Sequence, residues 1–572
     1  MTDRPECPQR PRSMRPEDLG FRPRPVVRWL DPGPLLAKEV KGAIAGLFGS
    51  LADRREMQAA LSAPPGLDYS SRQDLWFDYA ADTGDGFAST HTVARLLAGP
   101  RLEVGGADLP RGRFLVLGGD AVYPAASEVL YRDRFRGPFR AALPCAPDTE
   151  APDLFAVPGN HDWYDGLTSF LRIFCQGRWV GGWRTRQTRS YFALQLPHRW
   201  WLWAIDISFD RFIDQPQLAY FRQTAHEQVH PGDRLILCTA KPSWVHAGMA
   251  GDEAYKSELK ARDNLEFFER TVVEPSGARL VLTLSGDLHH YARYENEDGT
   301  RMKVTSGGGG AYLYPTHGLP EAFAWPGPDG AERYSMKAAY PSRRHSRSLR
   351  KGVLLTPFLN RGFWAVMGSM QLVLIWMVQF ALRRPGVSVA ASFHGAGLFD
   401  LLQALARYPA SLLLALVVVG GFFVFADAAG WRRLLLGGVH GAGQVAIPLL
   451  VAWGISRVSL DGAPFTAMLL ATVAIGGGLA AGFLMGFYLF GANVLFGRHP
   501  NAVFAARHIQ DYKGFLRMHL GSDGRVTVYP IGVDRVPRRW RLVSDGQTDD
   551  PWFEPSDRSI EALLIEPPFS VS

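Results

Sequence analysis

Cysteine is scarce. The 572-residue chain has four, Cys7, Cys145, Cys175 and Cys238, far apart and with no CxxC pair. That spacing excludes a disulfide framework and a zinc knuckle, and four reduced thiols in a cytosolic setting are expected. Charge is thin as well. Charged residues make up 20% against 47% hydrophobic, too apolar for a disordered chain and slightly rich for a soluble one. The first residues, MTDRPECPQRPRSMRPEDLGFRPRP, contain no apolar core, so no secretory signal is expected. Residues 1–65 are expected as a flexible Arg/Pro-rich arm and lead-in. No internal repeat is visible.

What the chain does have is length, enough for two or more domains. Its net charge is +7, with Arg clusters at the N-terminus and near residue 345. A membrane surface or a nucleic acid can exploit such charge. Only the Arg-rich leader points to nucleic acid, and no nucleic-acid partner is expected.

Composition changes near residue 352. Before it, short apolar runs end in Gly, Asp and His: FLVLGGD, LFAVPGNHD, WWLWAIDIS, RLILCTAKP and RLVLTLSGD. Strands buried on both faces read this way, and α/β folds place ligands at the C-terminal ends of such strands. Helices are expected at 89–98, 125–140 and 257–274.

After residue 352 come four long apolar segments, about 363–382, 408–426, 434–456 and 465–491. Each is near the ~20 residues that a bilayer-spanning helix needs. The third is interrupted by His440, Gln444 and Pro448. Lys and Arg at 343–351, 361, 432 and 433 outweigh Arg383, Arg384, Arg407 and Arg457 on the other side. This bias predicts a multi-pass protein of the inner (cytoplasmic) membrane with both termini in the cytoplasm. Basic residues 343–351 would hold it near anionic lipids. Small residues in GVHGAG and AIGGGLAAG suit close helix packing, including association of copies into a homo-oligomer. The expected domains are 66–340, a basic linker 341–361, four spans within 362–492, and a small cytoplasmic tail 493–572.

Five strand-end clusters carry the chemistry: ADTG (81–84), GGDAVYP (118–124), GNHD (159–162), AKPSWVHA (240–247) and SGDLHHYARY (285–294). They offer Asp82, Asp120, Tyr123, Asn160, His161, Asp287 and His289. Carboxylate, imidazole, amide and phenolate are ligands of hard or borderline metal ions. The lack of a thiol among them argues against a structural zinc site. Asp85, within DTGDG, competes with Asp82, which sits closer to the apolar run. Asp162 and Asp165 either orient His161 or cap a turn. The Gly-rich stretch TSGGGGAYLYPTH (305–317) allows close backbone approach but lacks the helix start of a phosphate-cradling loop.

These motifs resemble the calcineurin-like metallophosphoesterase superfamily. Its pattern runs D-x-H or D-x-G, G-D-x-x-Y/G, G-N-H-D/E, a lone His, then G-H-x-H. The resemblance spans roughly residues 70–315, under half the chain. It implies a four-layer αββα sandwich with two metal ions at the strand tips and water attack on phosphorus. It would make Asp120 a bridging ligand, give Asp82 and His289 to one metal and Asn160 to the other, and leave His161 as the acid or electrostatic clamp. Three departures stand out. Gly84 replaces a metal-binding His, as in purple acid phosphatases, and Tyr123 is either the compensating ligand or a packed aromatic. Ala240 and Lys241 stand where the lone His belongs. Lys241 then either contacts phosphate or lies at the surface, and His246 either substitutes or is structural. The last motif reads G-D-L-H, so Asp287 takes an imidazole's place and favours manganese, iron or magnesium over zinc. His290 either touches substrate or packs. The reading is a membrane-anchored phosphohydrolase acting on a phosphate ester. The alternative is a catalytically degenerate ligand sensor coupled to the spans.

Overall fold

Three apolar runs, LWFDYA, FLVLG and DLFAV, lie side by side as parallel strands β1 (Leu75–Ala80), β2 (Phe114–Gly118) and β3 (Asp153–Val157). The computed structural model describes residues 7–31, 33–34, 67–146, 151–207, 212–248, 256–328, 330–383, 386–428, 430–543 and 546–572. Side chains alternate across a strand, so every second residue faces one way. Phe77, Tyr79, Phe114, Val116, Phe155 and Val157 enter one core. Leu115, Leu117, Leu154 and Ala156 enter another, against helices α1 (Phe87–Ala98) and α2 (residues 128–142).

A second sheet supplies the opposite wall of the first core. Its central strands are β4 (Trp200–Ile205), β5 (Arg234–Thr239), β6 (Arg279–Ser285) and β7 (Met302–Ser306), all parallel. WWLWAI alternates cleanly: Trp200, Leu202 and Ala204 meet the first sheet, while Trp201, Trp203 and Ile205 meet α3 (Gln215–Glu227) and α4 (Lys256–Phe268). Helix, sheet, sheet and helix succeed one another, with nine strands in each sheet among the described residues.

Three expectations are corrected within this unit. Segment 493–572 is no detached tail: β8 (Lys513–Leu520) pairs antiparallel with β1, and β9 (Val526–Val533) pairs with β8. The cause is KGFLRMHL itself, whose Phe515 faces one core while Leu516, Met518 and Leu520 face the other. Residues 7–27 are no free arm. Leu19 and Phe21 pack with Phe87, Ala141, Trp552 and Phe553. Residues 35–66, the rest of the expected lead-in, lie outside the described residues. The thiols are not all reduced either. The fold brings Cys7 to Cys145 as a disulfide with Cα atoms 5.4 Å apart, across 138 residues of sequence. Cys175 and Cys238 stay free and buried, and burial raises both thiol pKa values.

The second compact unit covers 347–507 with residues 28–31 and 33–34. Among the described residues, three of its helices are long and apolar enough to cross a membrane: α5 (Arg361–Leu382), α8 (Gly430–Ile455) and α9 (Gly462–Phe496). The expected span at 408–426 is instead α7 (Pro409–Phe425), which meets α6 (Leu398–Arg407) at a bend of 97°. Pro409 lacks the N–H that would continue α6, and a residue before proline avoids helical backbone. Tyr408 is extended at φ −94°, ψ 110°. If the bent pair counts as one span, the total is four. Inside α8, Gln444 bonds His440 (3.0 Å) and the Ala481 carbonyl of α9 (3.2 Å). The polar interruptions of the third segment therefore serve helix–helix contact.

Candidate metal centre

Every candidate side chain follows a C-terminal strand end. Asp82 lies beyond β1, Asp120 beyond β2, Asn160 and His161 beyond β3, and Asp287 and His289 beyond β6. Asp82, Asp120 and Asp287 all have left-handed backbone, with φ of +59°, +48° and +65°. That region is uncommon outside glycine, and Asp is among the residues that tolerate it. Such strain gathers at functional sites. Glycine gives these aspartates room: a Cβ on Gly159 would stand 2.1 Å from Asp120 Oδ1, and one on Gly307 2.4 Å from Asp82 Oδ2.

Tyr123 is the hub. Its hydroxyl lies 2.9 Å from Asp82 Oδ1, 3.1 Å from Asp120 Oδ2 and 3.0 Å from His289 Nε2. His289 Nδ1 sits 2.7 Å from the Tyr312 carbonyl. A carbonyl only accepts, so Nδ1 donates and Nε2 bears the lone pair. Three acceptors thus surround a hydroxyl that owns one proton. Asp82 Oδ2, also buried, has no hydrogen-bond partner among the described residues. Burial, then Asp120 and Asp287, pushes Asp82 well above the usual carboxylate range. Burial, then Asp162 and Asp287, does the same to Asp120. Acceptors crowded without protons or cations to share fit a divalent ion. Among the described residues no three His, Cys, Asp or Glu alone make up a metal-holding group. An ion held here would need Tyr123 as well, whose phenol would have to lose its proton against burial that raises its pKa.

Gly84 shows why a tyrosine enters here. A Cβ at 84 would stand 2.2 Å from the Ala121 carbonyl, so no histidine fits on this backbone. The two loops are joined at this point by Gly84 N to Ala121 O (3.2 Å) and Tyr123 N to Gly84 O (2.9 Å). That pairing delivers Tyr123 to the hub.

Asp287 gathers a second group. His246 Nε2 lies 3.8 Å from Asp287 Oδ2, an ion-pair distance. Burial raises the Asp287 pKa, but His246 and the Lys241 charge outweigh it and hold it at about 2. Lys241, His246 and Asp287 are therefore brought together. Asn160 stands half-buried on the turn between Gly159 and His161. His161 N donates to Asp120 Oδ1 (2.9 Å), and its Nδ1 donates to the Pro124 carbonyl (2.6 Å). Its Nε2 is left with the lone pair. His290 is buried, and burial lowers it to about 3, a neutral ring.

Of the supports around the hub, the motifs offer Asp85, Asp162 and Asp165 but not Lys513. Asp85 faces away from the hub, accepting from Val27 N (2.7 Å) and Tyr312 N (3.2 Å). Asp162 ties two loops, accepting from Gly159 N (2.9 Å), Ala121 N (3.2 Å) and the Tyr131 hydroxyl. Asp165 caps α-helical residues 168–174 through Ser169. Lys513, from β8, is wholly buried and donates to the Ala311 carbonyl (2.6 Å). Ala311 N in turn donates to the Asp82 carbonyl (2.8 Å). The GNHD neighbourhood signalled Asp162, but no local signal tied Lys513 to a site more than 400 residues earlier.

No family model and no curated protein matches this chain. Similar solved structures include a purple acid phosphatase from yellow lupin (Lupinus luteus) seeds, 14% identical with a TM-score of 0.30, over 44% of this chain and 46% of that one. PhoD is another, 13% identical with a TM-score of 0.27, over 49% of this chain and 70% of that one. The match spans under half the length of the lupin protein. Likeness this remote carries no weight for the reaction, which must be read from the residues.

Proposed function

We propose that the chain is a membrane-anchored phosphoesterase using two metal ions at its strand tips. One observation carries this reading: Asp82, Asp120 and His289 converge on a single Tyr123 hydroxyl. Asp82, Tyr123 and His289 would hold one ion, Asn160 and Asp287 the other, with Asp120 between them. When bound, such ions lower the pKa of water and neutralise phosphoryl oxygens. The oxygen-rich donors favour manganese, iron or magnesium over zinc. His161, with Nδ1 fixed on Pro124 O, presents Nε2 to hold a proton at the leaving oxygen. Lys241 offers a point charge to the phosphate.

The test uses the full-length protein in detergent. Elemental analysis should find two metal ions per chain. Turnover of bis(p-nitrophenyl) phosphate or p-nitrophenyl phosphate with manganese should follow. His161→Ala should lower kcat by about 10²–10⁴-fold while keeping its metal. Folded protein with neither metal nor turnover would give the chain to the ligand-sensor reading.

The membrane reading rests on parity. If the apolar helices cross a bilayer, the pairing of β8 with β1 requires the chain on either side of them to lie on one face of it. Crossings must then be even in number, which favours counting the bent pair as the fourth span. The Lys/Arg bias puts that face in the cytoplasm. The Cys7–Cys145 disulfide favours an oxidising compartment instead. A cysteine at exposed Ser522 decides between them. In intact cells, Ser522→Cys should resist a membrane-impermeant maleimide and react only after lysis. Labelling before lysis would reverse the orientation.

A further inference from the structure

A cavity of about 300 Å³ opens beside α2, away from the strand-tip loops. Arg132, Arg136 and Arg140 all line it. Four-residue spacing puts them on one helix face, where like charges repel. The walls opposite are Trp179, the Gly181–Gly182 backbone and the Cys7–Cys145 disulfide.

The charges here are poorly answered. Arg132 donates to Asp133 Oδ1 (2.9 Å), but Asp133 also serves Arg24 (2.9 Å) and the Arg22 amide (3.1 Å). Arg140 reaches the Leu19 carbonyl (2.5 Å) and lies over the Trp552 ring (5.1 Å). Its Nε is buried without a hydrogen-bond acceptor among the described residues. Among those residues, the Arg136 side chain makes neither an ion pair nor a hydrogen bond, and the Glu128 charge acts on it only at longer range. The side chain of nearby Arg178 donates, among the described residues, to Gln176 Oε1 (3.1 Å). Burial lowers the Arg136 pKa, and Arg178 lowers it further. Burial and then Arg136 lower that of Arg140. A buried guanidinium donor without an acceptor is costly, and oxyanions match its fork.

We propose that this cavity binds a phosphate group, free or esterified to a small body, with Arg136 and Arg140 as its principal donors. The size agrees: about 300 Å³ is the low end for small-molecule sites, enough for a phosphate and a few more atoms. The glycine wall lets backbone approach closely, and Trp179 offers an apolar face to an ester's organic part. The inference stands apart from the strand-tip reading, because none of these residues belongs to that centre.

The test is calorimetry on full-length Asp120→Asn protein with chelator present, so that the strand-tip centre neither holds metal nor hydrolyses the probe. Inorganic phosphate and glycerol 3-phosphate are the probes, with chloride at matched ionic strength as control. Phosphate or its ester should bind with Kd of about a millimolar or below, and chloride should give no heat. Tighter binding of glycerol 3-phosphate would identify an esterified ligand, and equal binding a free phosphate. Arg136→Gln and Arg178→Gln should each weaken binding, Arg136→Gln by about 10-fold. Arg136→Lys keeps charge but loses the fork, and should fall between parent and Arg136→Gln. No binding by either probe, or an unchanged Kd in well-folded Arg136→Gln, would overturn the proposal.

Discussion

Asp120→Asn is expected to abolish phosphoester turnover and, at the same time, to stabilise the metal-free protein. The two effects share one cause. Asp82 and Asp120 are buried carboxylates whose pKa values burial and neighbouring charge raise: Asp120 and half-buried Asp287 act on Asp82, and Asp162 and Asp287 act on Asp120. Without a cation that crowding opposes folding. An amide at 120 keeps an oxygen for the His161 N–H, 2.9 Å away. It also turns one acceptor into a donor beside Tyr123. Repulsion falls and the metal-free fold tightens. A metal ion, by contrast, loses its shared anionic ligand. Loss of groups merely adjacent to ligands weakens metal binding by about 10–100-fold, so loss of a ligand should exceed that. Thermal unfolding with and without manganese reads both effects. Ligand at about 100 times Kd adds about 2.7 kcal/mol to stability. The parent should show such a rise, and so should His161→Ala, whereas Asp120→Asn should show almost none. An equal manganese-induced rise in Asp120→Asn would remove Asp120 from the ligand set.

The strand ends were legible from sequence because the signals were local. An apolar run of five to seven residues followed by Gly, Asp, Asn or His marks both the strand and the end that carries the candidate ligands, as at Phe114–Gly118 and Arg279–Ser285. The helices expected at 89–98, 125–140 and 257–274 were legible for the same reason, whereas α3 was not foreseen. What escaped was every feature that depends on a distant partner. KGFLRMHL lies in the segment expected as a tail, and nothing in it says that it pairs with β1. Cys7 and Cys145 are separated by 138 residues, and only the packing of residues 7–27 joins them. Asp85 and Asp82 are alike in sequence. Their roles divide because Val27 and Tyr312, both distant, claim Asp85. The bend before Pro409 was local and readable, but hydropathy averages over it.

Arg517→Met should destabilise the sandwich by about 3–5 kcal/mol, the usual cost of removing one member of a buried ion pair. Arg517 is fully buried on β8 and grips Asp78 of β1 with two bonds, Nε to Oδ1 at 2.8 Å and Nη2 to Oδ2 at 3.0 Å. A third, from Nη1, reaches the Leu109 carbonyl at 3.2 Å. Methionine fills much of the volume but leaves the Asp78 carboxylate, among the described residues, with the Gly112 N–H at 3.3 Å and the more distant Arg111 charge. Burial then drives Asp78 toward protonation, which Arg517 resists in the parent. If the charge is the cause, Asp78→Val with Arg517→Met should recover most of the loss, since apolar replacement of both partners is often neutral. If lost packing is the cause, the double variant should be worse than either single one. Denaturant unfolding of the four full-length proteins separates these outcomes. The effect should reach activity as well, because β1 runs from Asp78 through Ala80 directly to Asp82. A strand that loses its β8 neighbour loses its hold on the first candidate ligand, so turnover should fall with stability in Arg517→Met and return in the double variant. A fragment ending before residue 508 lacks β8 altogether, and it should retain neither the fold of the first sheet nor metal.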